Sequence, residues 1–166
     1  DAVKANDLVD ADGDGSAASI GVVYPLVPIS PIRPDDIADQ DAAENISYLW
    51  NKAFLRATAL GELDHDLDGI SERKADLADR MDWIGVNWYF GIAVEGAPTS
   101  FMPDFSPLLT VNPLNFQEGV NEPDRLEGLL RWAADTLKKP IYISENGAND
   151  DPNDPEHQSR FIVQNL

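Results

Sequence analysis

Two short stretches of this chain place polar groups capable of chemistry at the end of an apolar run. The first is Pro140-Ile141-Tyr142-Ile143-Ser144-Glu145-Asn146-Gly147. Ile141, Tyr142 and Ile143 are β-branched and aromatic types that fit a strand covered on both faces, and Pro140 marks the entry from a preceding helix. Asn146-Gly147 then turns the chain. A carboxylate held at the C-terminal end of a parallel strand stands where α/β folds place their chemistry, which makes Glu145 the first candidate catalytic group. The alternative is a strand-end acid that caps a turn or faces solvent. The second stretch is Asp82-Trp83-Ile84-Gly85-Val86-Asn87-Trp88-Tyr89, an apolar strand that becomes polar and aromatic at its end. Asn87 offers an amide donor and acceptor, and Tyr89 a phenol that can hold or tune a nearby carboxylate. By itself this is a strand with a surface Asn and interface aromatics; two strands ending alike favour a shared site.

Other acidic groups carry less. Asp10-Ala11-Asp12-Gly13-Asp14-Gly15 and Asp64-His65-Asp66-Leu67-Asp68-Gly69 both resemble the start of a calcium loop. The position where a bidentate Glu is required holds Gly21 in one and Ala75 in the other, so the first reads as a solvated acidic connector and the second as a loop. No metal and no cofactor is expected. His65 and His157 have no visible ligand partners and are expected at the surface. Asn121-Glu122-Pro123 has the letters of an acid/base motif, but no apolar strand precedes it, and Glu122 and Pro123 suit the first turn of a helix.

The elements that must position these residues alternate between strand and helix. Asp1 to Val9 has helical spacing and reads as the last turns of a helix. Ser19 to Tyr24 reads as a buried strand, followed by Pro25, Pro28, Pro31 and Pro34 in a stiff loop packed on the domain. Asp35-Asp36 opens a long helix with a broad apolar face that includes Ile37, Trp50 and Phe54 and ends at Gly61. Ser71 to Arg80 reads as a short helix. Residues 91 to 121 lack periodicity and read as a long loop. A helix with Leu126, Leu129, Leu130, Ala133 and Leu137 inward leads to the Glu145 strand, and another begins at Glu156 with Phe161, Ile162 and Leu166 inward. Strands near 20, 83 and 141, each followed by helical material, form a βαβαβ pattern and imply a parallel sheet. Long segments after strands suit a barrel with functional βα loops; the Gly-rich phosphate turn of a doubly wound fold is not visible.

Composition narrows the class. The chain has 166 residues, 43% of them hydrophobic, and no cysteine, enough for one globular domain held by core packing. Thirty acidic residues against twelve basic ones give a formal charge of -18, which argues against nucleic acid or an anionic membrane as partner. The acid is spread along the chain and Lys is scarce, a pattern resembling proteins of salt-loving organisms. There is no run of about 18 apolar residues and no basic, apolar leader, so a soluble, cytoplasmic protein is expected. The chain starts without Met and stops within the final helix, which suggests a piece of something longer.

DWIGVNWY and PIYISENGAND resemble the sixth-strand and seventh-strand signatures of glycoside hydrolase family 1, the β-glucosidase and β-galactosidase group, closest in flavour to its archaeal branch. The resemblance implies an α/β fold, part of a (β/α)8 TIM barrel, with residues 1–166 as one domain incomplete at both ends and supplying about strands five to seven. It implies a retaining β-glycosidase acting on terminal β-D-glucosides or galactosides, with Glu145 as nucleophile and Tyr89 orienting it. Asn87 and Trp88 would contact substrate, Trp88 standing where Tyr is more usual. Retention requires a second carboxyl roughly 5 Å away, to protonate the leaving group and then activate water. In the family that acid/base lies in a TFNEP-like segment on the fourth strand, upstream of Asp1, so this chain alone is expected to be inactive. The competing expectation is a non-catalytic half-barrel remnant acting as a binding or assembly module.

Overall fold

The computed structural model describes residues 2–120, 123–148 and 153–164. Helix α1 (Ala2–Asn6) buries no residue, and touches the body through Lys4 Nζ donating to Asp82 at 2.6 Å. Strand β1 (Gly21–Pro25) leads into the proline segment, which is more than a loop: it buries Leu26 and Val27 and forms strand β2 (Ile29–Pro31). Asp36 then caps helix α2 (Ile37–Ser47), its carboxylate accepting from the N–H groups of Ala38 and Asp39. The long helix is not uniform. A π turn at Tyr48–Lys52 separates α2 from α3 (Ala53–Leu60), and Gly61 ends it in the left-handed conformation, φ 70°, that favours glycine. Ile37, Trp50 and Phe54, expected on the buried face, are exposed: Ile37 is the first residue of α2, and Trp50 and Phe54 lie within and just after the π turn, which changes which residues point inward.

Two further expectations are corrected. Ser71 to Arg80 is not a helix: β3 (Glu62–Leu63) pairs antiparallel with β4 (Glu72–Arg73), and a turn follows in which Asp79 has φ 55°. After β5 (Trp83–Trp88), residues 91–120 are not one long loop: two strands, β6 (Gly91–Gly96) and β7 (Val111–Val120), pair antiparallel, with turns and irregular chain only over 97–110. Pro113 and Gly119 within β7 and register shifts in the pair conceal its period-two pattern. Helix α4 (Pro123–Leu137) buries Leu126, Leu129, Ala133 and Leu137 as its spacing predicts. Strand β8 (Ile141–Asn146) and helix α5 (His157–Gln164) complete the chain. On α5 Phe161 is buried and Ile162 is exposed. Glu122 and Leu166 lie outside the described residues.

The strands form two main sheets. In one, β1, β5 and β8 are all parallel in the order β1-β5-β8, the arrangement of part of an α/β barrel. Its helix-covered face carries a core of Leu26, Leu55, Met81, Ile84, Val86, Leu129, Ala133 and Leu137. The second sheet, β2-β6-β7, packs on α2 through Val27, Ile29, Ala42, Ala43, Val94 and Val111. A buried carboxylate joins this sheet to α2. Asp39, with no exposed surface, accepts from Arg33 N at 3.0 Å, Nε at 2.9 Å and Nη2 at 2.6 Å, and from Gly96 N at 2.7 Å. The bond to Arg33 holds Asp39 well below the usual carboxylate range, against the opposing effect of burial, and Gly96 adds to it. Glu95 beside it accepts from Asn115 and Asn112, and is lowered in turn. Among the described residues no helix is long and apolar enough to cross a membrane.

Candidate active site

The C-terminal ends of β5 and β8 meet. The pairing register sets Asn87 opposite Glu145 and Trp88 opposite Asn146. Just past β5, the Tyr89 hydroxyl donates to Glu145 Oε2, and Ser144 Oγ donates to Asn87 Oδ1 at 2.8 Å. Gly147 N closes the turn on Trp88 O at 3.3 Å. The structure therefore brings Glu145, Tyr89 and Asn87 together, with Ser144 as a fourth member that sequence reasoning missed. Its hydroxyl type next to Glu145 was the available signal; which strand residue it would face was not.

Strand β8 is not covered on both faces. Tyr142 is 59% exposed and Ile143 50%, and Val23 on β1 is 51% exposed. Among the described residues the face opposite the helices carries no layer, so Val23 and Tyr142 meet solvent there, and Ile143 is exposed on the last strand of the sheet. Trp83 and Tyr142 touch edge to face on that open side, ring centroids 5.9 Å apart. The carboxylate of Glu145 sits at the rim of this surface and is exposed.

Trp88, expected to contact substrate, points the other way. It is 1% exposed and stacks on Phe161 at 5.9 Å, with Leu126 completing the cluster. It alternates with Asn87 along the strand, so one of the two must face the helices. Its indole N–H and the Asn146 Oδ1 are both buried without a hydrogen-bond partner among the described residues. A cleft of about 390 Å³ opens beside the strand ends, lined by Tyr89, Phe90, Glu118, His157 and Phe161 among others. His157, expected at the surface, is half-buried as part of that wall.

The two acidic loops each gather three carboxylates, Asp10, Asp12 and Asp14 in one and Asp64, Asp66 and Asp68 in the other, with oxygens within 4.8 Å of one another. They close their own loops. Asp10 accepts from Gly13 N and Gly15 N. Asp64 is buried and accepts from Tyr48 Oη at 2.6 Å, Gly69 N at 2.8 Å and Asp68 N at 3.2 Å. Burial pushes Asp64 up, and these donors outweigh it to leave the carboxyl below its ordinary value. Asp82 behaves alike, with burial outweighed by Ile20 N–H and Lys4.

No protein-family profile matches the chain. It is 34% identical over 168 aligned positions to a β-galactosidase of Pyrococcus woesei, covering 89% of this chain and 32% of that protein. To a β-galactosidase of Sulfolobus acidocaldarius it is 28% identical over 151 positions, 86% of this chain and 30% of the other. Among solved structures it is similar to a β-glycosidase from Pyrococcus horikoshii, with TM-score 0.62, 28% identity, and coverage of 88% of this chain and 33% of that one. The glycoside hydrolase family 1 β-glucosidase of Exiguobacterium antarcticum B7 matches in fold, with TM-score 0.64 at 22% identity over 91% of this chain and 38% of its own. The fold is thus that of part of a TIM barrel. The chain spans about a third of the length of the curated relatives it matches, and over that third it is related to the β-glycosidases of glycoside hydrolase family 1.

Proposed function

We propose that this chain is the part of a retaining β-glycosidase that carries the nucleophile, acting on terminal β-D-glucosides or galactosides. The observation that carries this reading is the Tyr89 hydroxyl on Glu145 at the joined ends of two parallel strands. Glu145 attacks the anomeric carbon, the bond to the leaving oxygen breaks as a second carboxyl protonates it, and that carboxyl then activates the water that releases the sugar. Tyr89 fixes one carboxylate oxygen and leaves the other for attack. Asn87 lies on the open face beside it. Trp88 is left out of the site because it is buried against Phe161.

The second carboxyl belongs to the part of the relatives that this chain does not match. By this reading residues 1–166 form one partial barrel domain, about strands five to seven, and show no turnover of an aryl β-glycoside by themselves. The test is a chimera in which this chain replaces the matching third of the Pyrococcus woesei β-galactosidase. Turnover with retention that is lost in Glu145→Gln supports the reading; a chimera that folds and hydrolyses equally well with that substitution overturns it. A second reading, a non-catalytic half-barrel that assembles with another chain, is favoured by the exposed Val23 and Tyr142 on the open face. Complete absence of turnover in a folded chimera would select it.

The charge of -18 supports a salt-rich setting, in which dissolved ions screen repulsion among surface carboxylates. Dialysis from molar salt into dilute buffer is expected to reduce the far-ultraviolet circular dichroism signal. An unchanged signal removes the salt requirement.

A further inference from the structure

The side on which a strand residue points follows from alternation, and β8 breaks that alternation where it matters. Ile141 pairs with Ile84, Tyr142 with Gly85 and Ile143 with Val86. Ile84 and Val86 belong to the helix-covered core, and Ile141 packs against it, so Ile141 and Ile143 share that face and Tyr142 lies on the open one. Regular alternation would put Ser144 on the open face and Glu145 back on the helix face, beside Trp88. The register instead steps between Val86 and Asn87, so that Asn87 pairs with Glu145 and Trp88 with Asn146. Two residues, Ser144 and Glu145, stand against one. This is a β-bulge, and it moves every following residue to the opposite face.

We propose that Ser144 and Gly85 are positioning residues that hold this bulge and thereby turn Glu145 onto the open face toward Tyr89. Ser144 fastens it: its hydroxyl donates to Asn87 Oδ1 at 2.8 Å, tying the extra residue to the partner strand where the ladder is interrupted. Gly85 makes room for it. A Cβ on Gly85 would lie 2.9 Å from Ser144 Oγ and 3.0 Å from Val23 Cγ2, closer than side chains tolerate. The shifted register also carries the amide oxygen of Asn146 to the helix face opposite the Trp88 N–H, both of them buried without a partner among the described residues. The catalytic meaning of the device rests on Glu145 being the nucleophile; its geometry does not.

The test uses the 166-residue chain with ¹³C-labelled glutamate and reads the side-chain carboxylate resonance of Glu145, identified by its loss in Glu145→Gln. Tyr89→Phe removes the hydroxyl that donates to Glu145 and shifts that resonance. Ser144→Ala is expected to move it to the same position, and the double variant no further; Ser144→Thr, which keeps the hydroxyl, leaves it in place. Gly85→Ala pushes on the same hydroxyl and reproduces the Ser144→Ala shift. A resonance that stays put in Ser144→Ala, or in Tyr89→Phe, overturns the proposal. Loss of the folded amide spectrum in Ser144→Ala also overturns it, since Ser144 would then serve the fold and not the carboxylate. Activity of the chimera with Glu145→Gln would defeat the nucleophile reading while leaving this result untouched.

Discussion

Asp39 and Glu145 are both carboxylates held by hydrogen bonds, and their surroundings are opposite. Asp39 has no exposed surface and four N–H donors fill its oxygens. Glu145 is exposed and, among the described residues, receives one donor, Tyr89. A carboxylate whose lone pairs are all occupied can hold two elements together but can do nothing else. One with vacant lone pairs at the open ends of two strands adds little to the fold and remains free to react. The contrast extends to their sheets: β2-β6-β7 is locked to α2 through Asp39, whereas β1-β5-β8 has a face without a layer.

That contrast can be broken most sharply by exchanging the roles. In the chimera, Glu145→Gln is expected to lower turnover by on the order of 10⁵-fold, as for loss of a covalent nucleophile, with unfolding free energy changed by no more than about 0.5 kcal/mol. Urea unfolding of the same protein shows whether the second half holds. Asp39→Ala should do the reverse and destabilise by on the order of 3 kcal/mol, because buried N–H groups and Arg33 lose their acceptor. If urea midpoints place Asp39→Ala within error of the unsubstituted protein, the lock is not where we put it.

Acid offers a finer test. Asp39, Asp64, Asp82 and Glu95 are all held below their ordinary values in the folded chain. Groups of this kind bind fewer protons folded than unfolded, so their stabilisation is complete above the unfolded carboxyl range, about pH 4 to 4.5, and fades as pH falls through the lower folded values. Urea midpoints measured from pH 6 down to pH 3 should fall, and Asp39→Asn should flatten that slope. A flat profile for the unsubstituted chain would contradict it. The smallest expected effect is that of Val23→Thr on the open face, about 0.5 kcal/mol or less. A cost above about 2 kcal/mol, the scale of a buried side chain, would mean that this face is covered in solution.

The strand ends were legible because they combine apolar runs with polar termini, and Glu145, Tyr89 and Asn87 do converge as their spacing predicts. The hairpin of β6 and β7 was hidden because Gly, Pro and register shifts erase its alternation. Asp39 was hidden too, since an Asp in the first turn of a helix reads as a surface acid near a dipole until Arg33 and Gly96 are brought against it. Trp88 shows a subtler limit. Its place beside Asn87 was correct, and only the pleat decides that adjacent residues serve different faces. Ser144 could be read as a hydroxyl but not as a bulge, because a bulge exists only in a pairing register.

The π turn at Tyr48–Lys52 has a consequence for how the two sheets are kept in step. Residues before it, Ala42 and Ala43, face the core of the second sheet, and residues after it, Leu55 and Ala59, face the core of the first. Each residue of an α-helix advances the side chains by about 100°, so the residue accommodated in a π turn acts as a phase shift between two halves of one rod. Asn51 within the turn bonds both the N–H and the carbonyl of Val27, where the chain passes from one sheet to the other. The helix thus works as a two-lobed cam, and removing one residue from the turn would leave either sheet able to seat against it but not both at once.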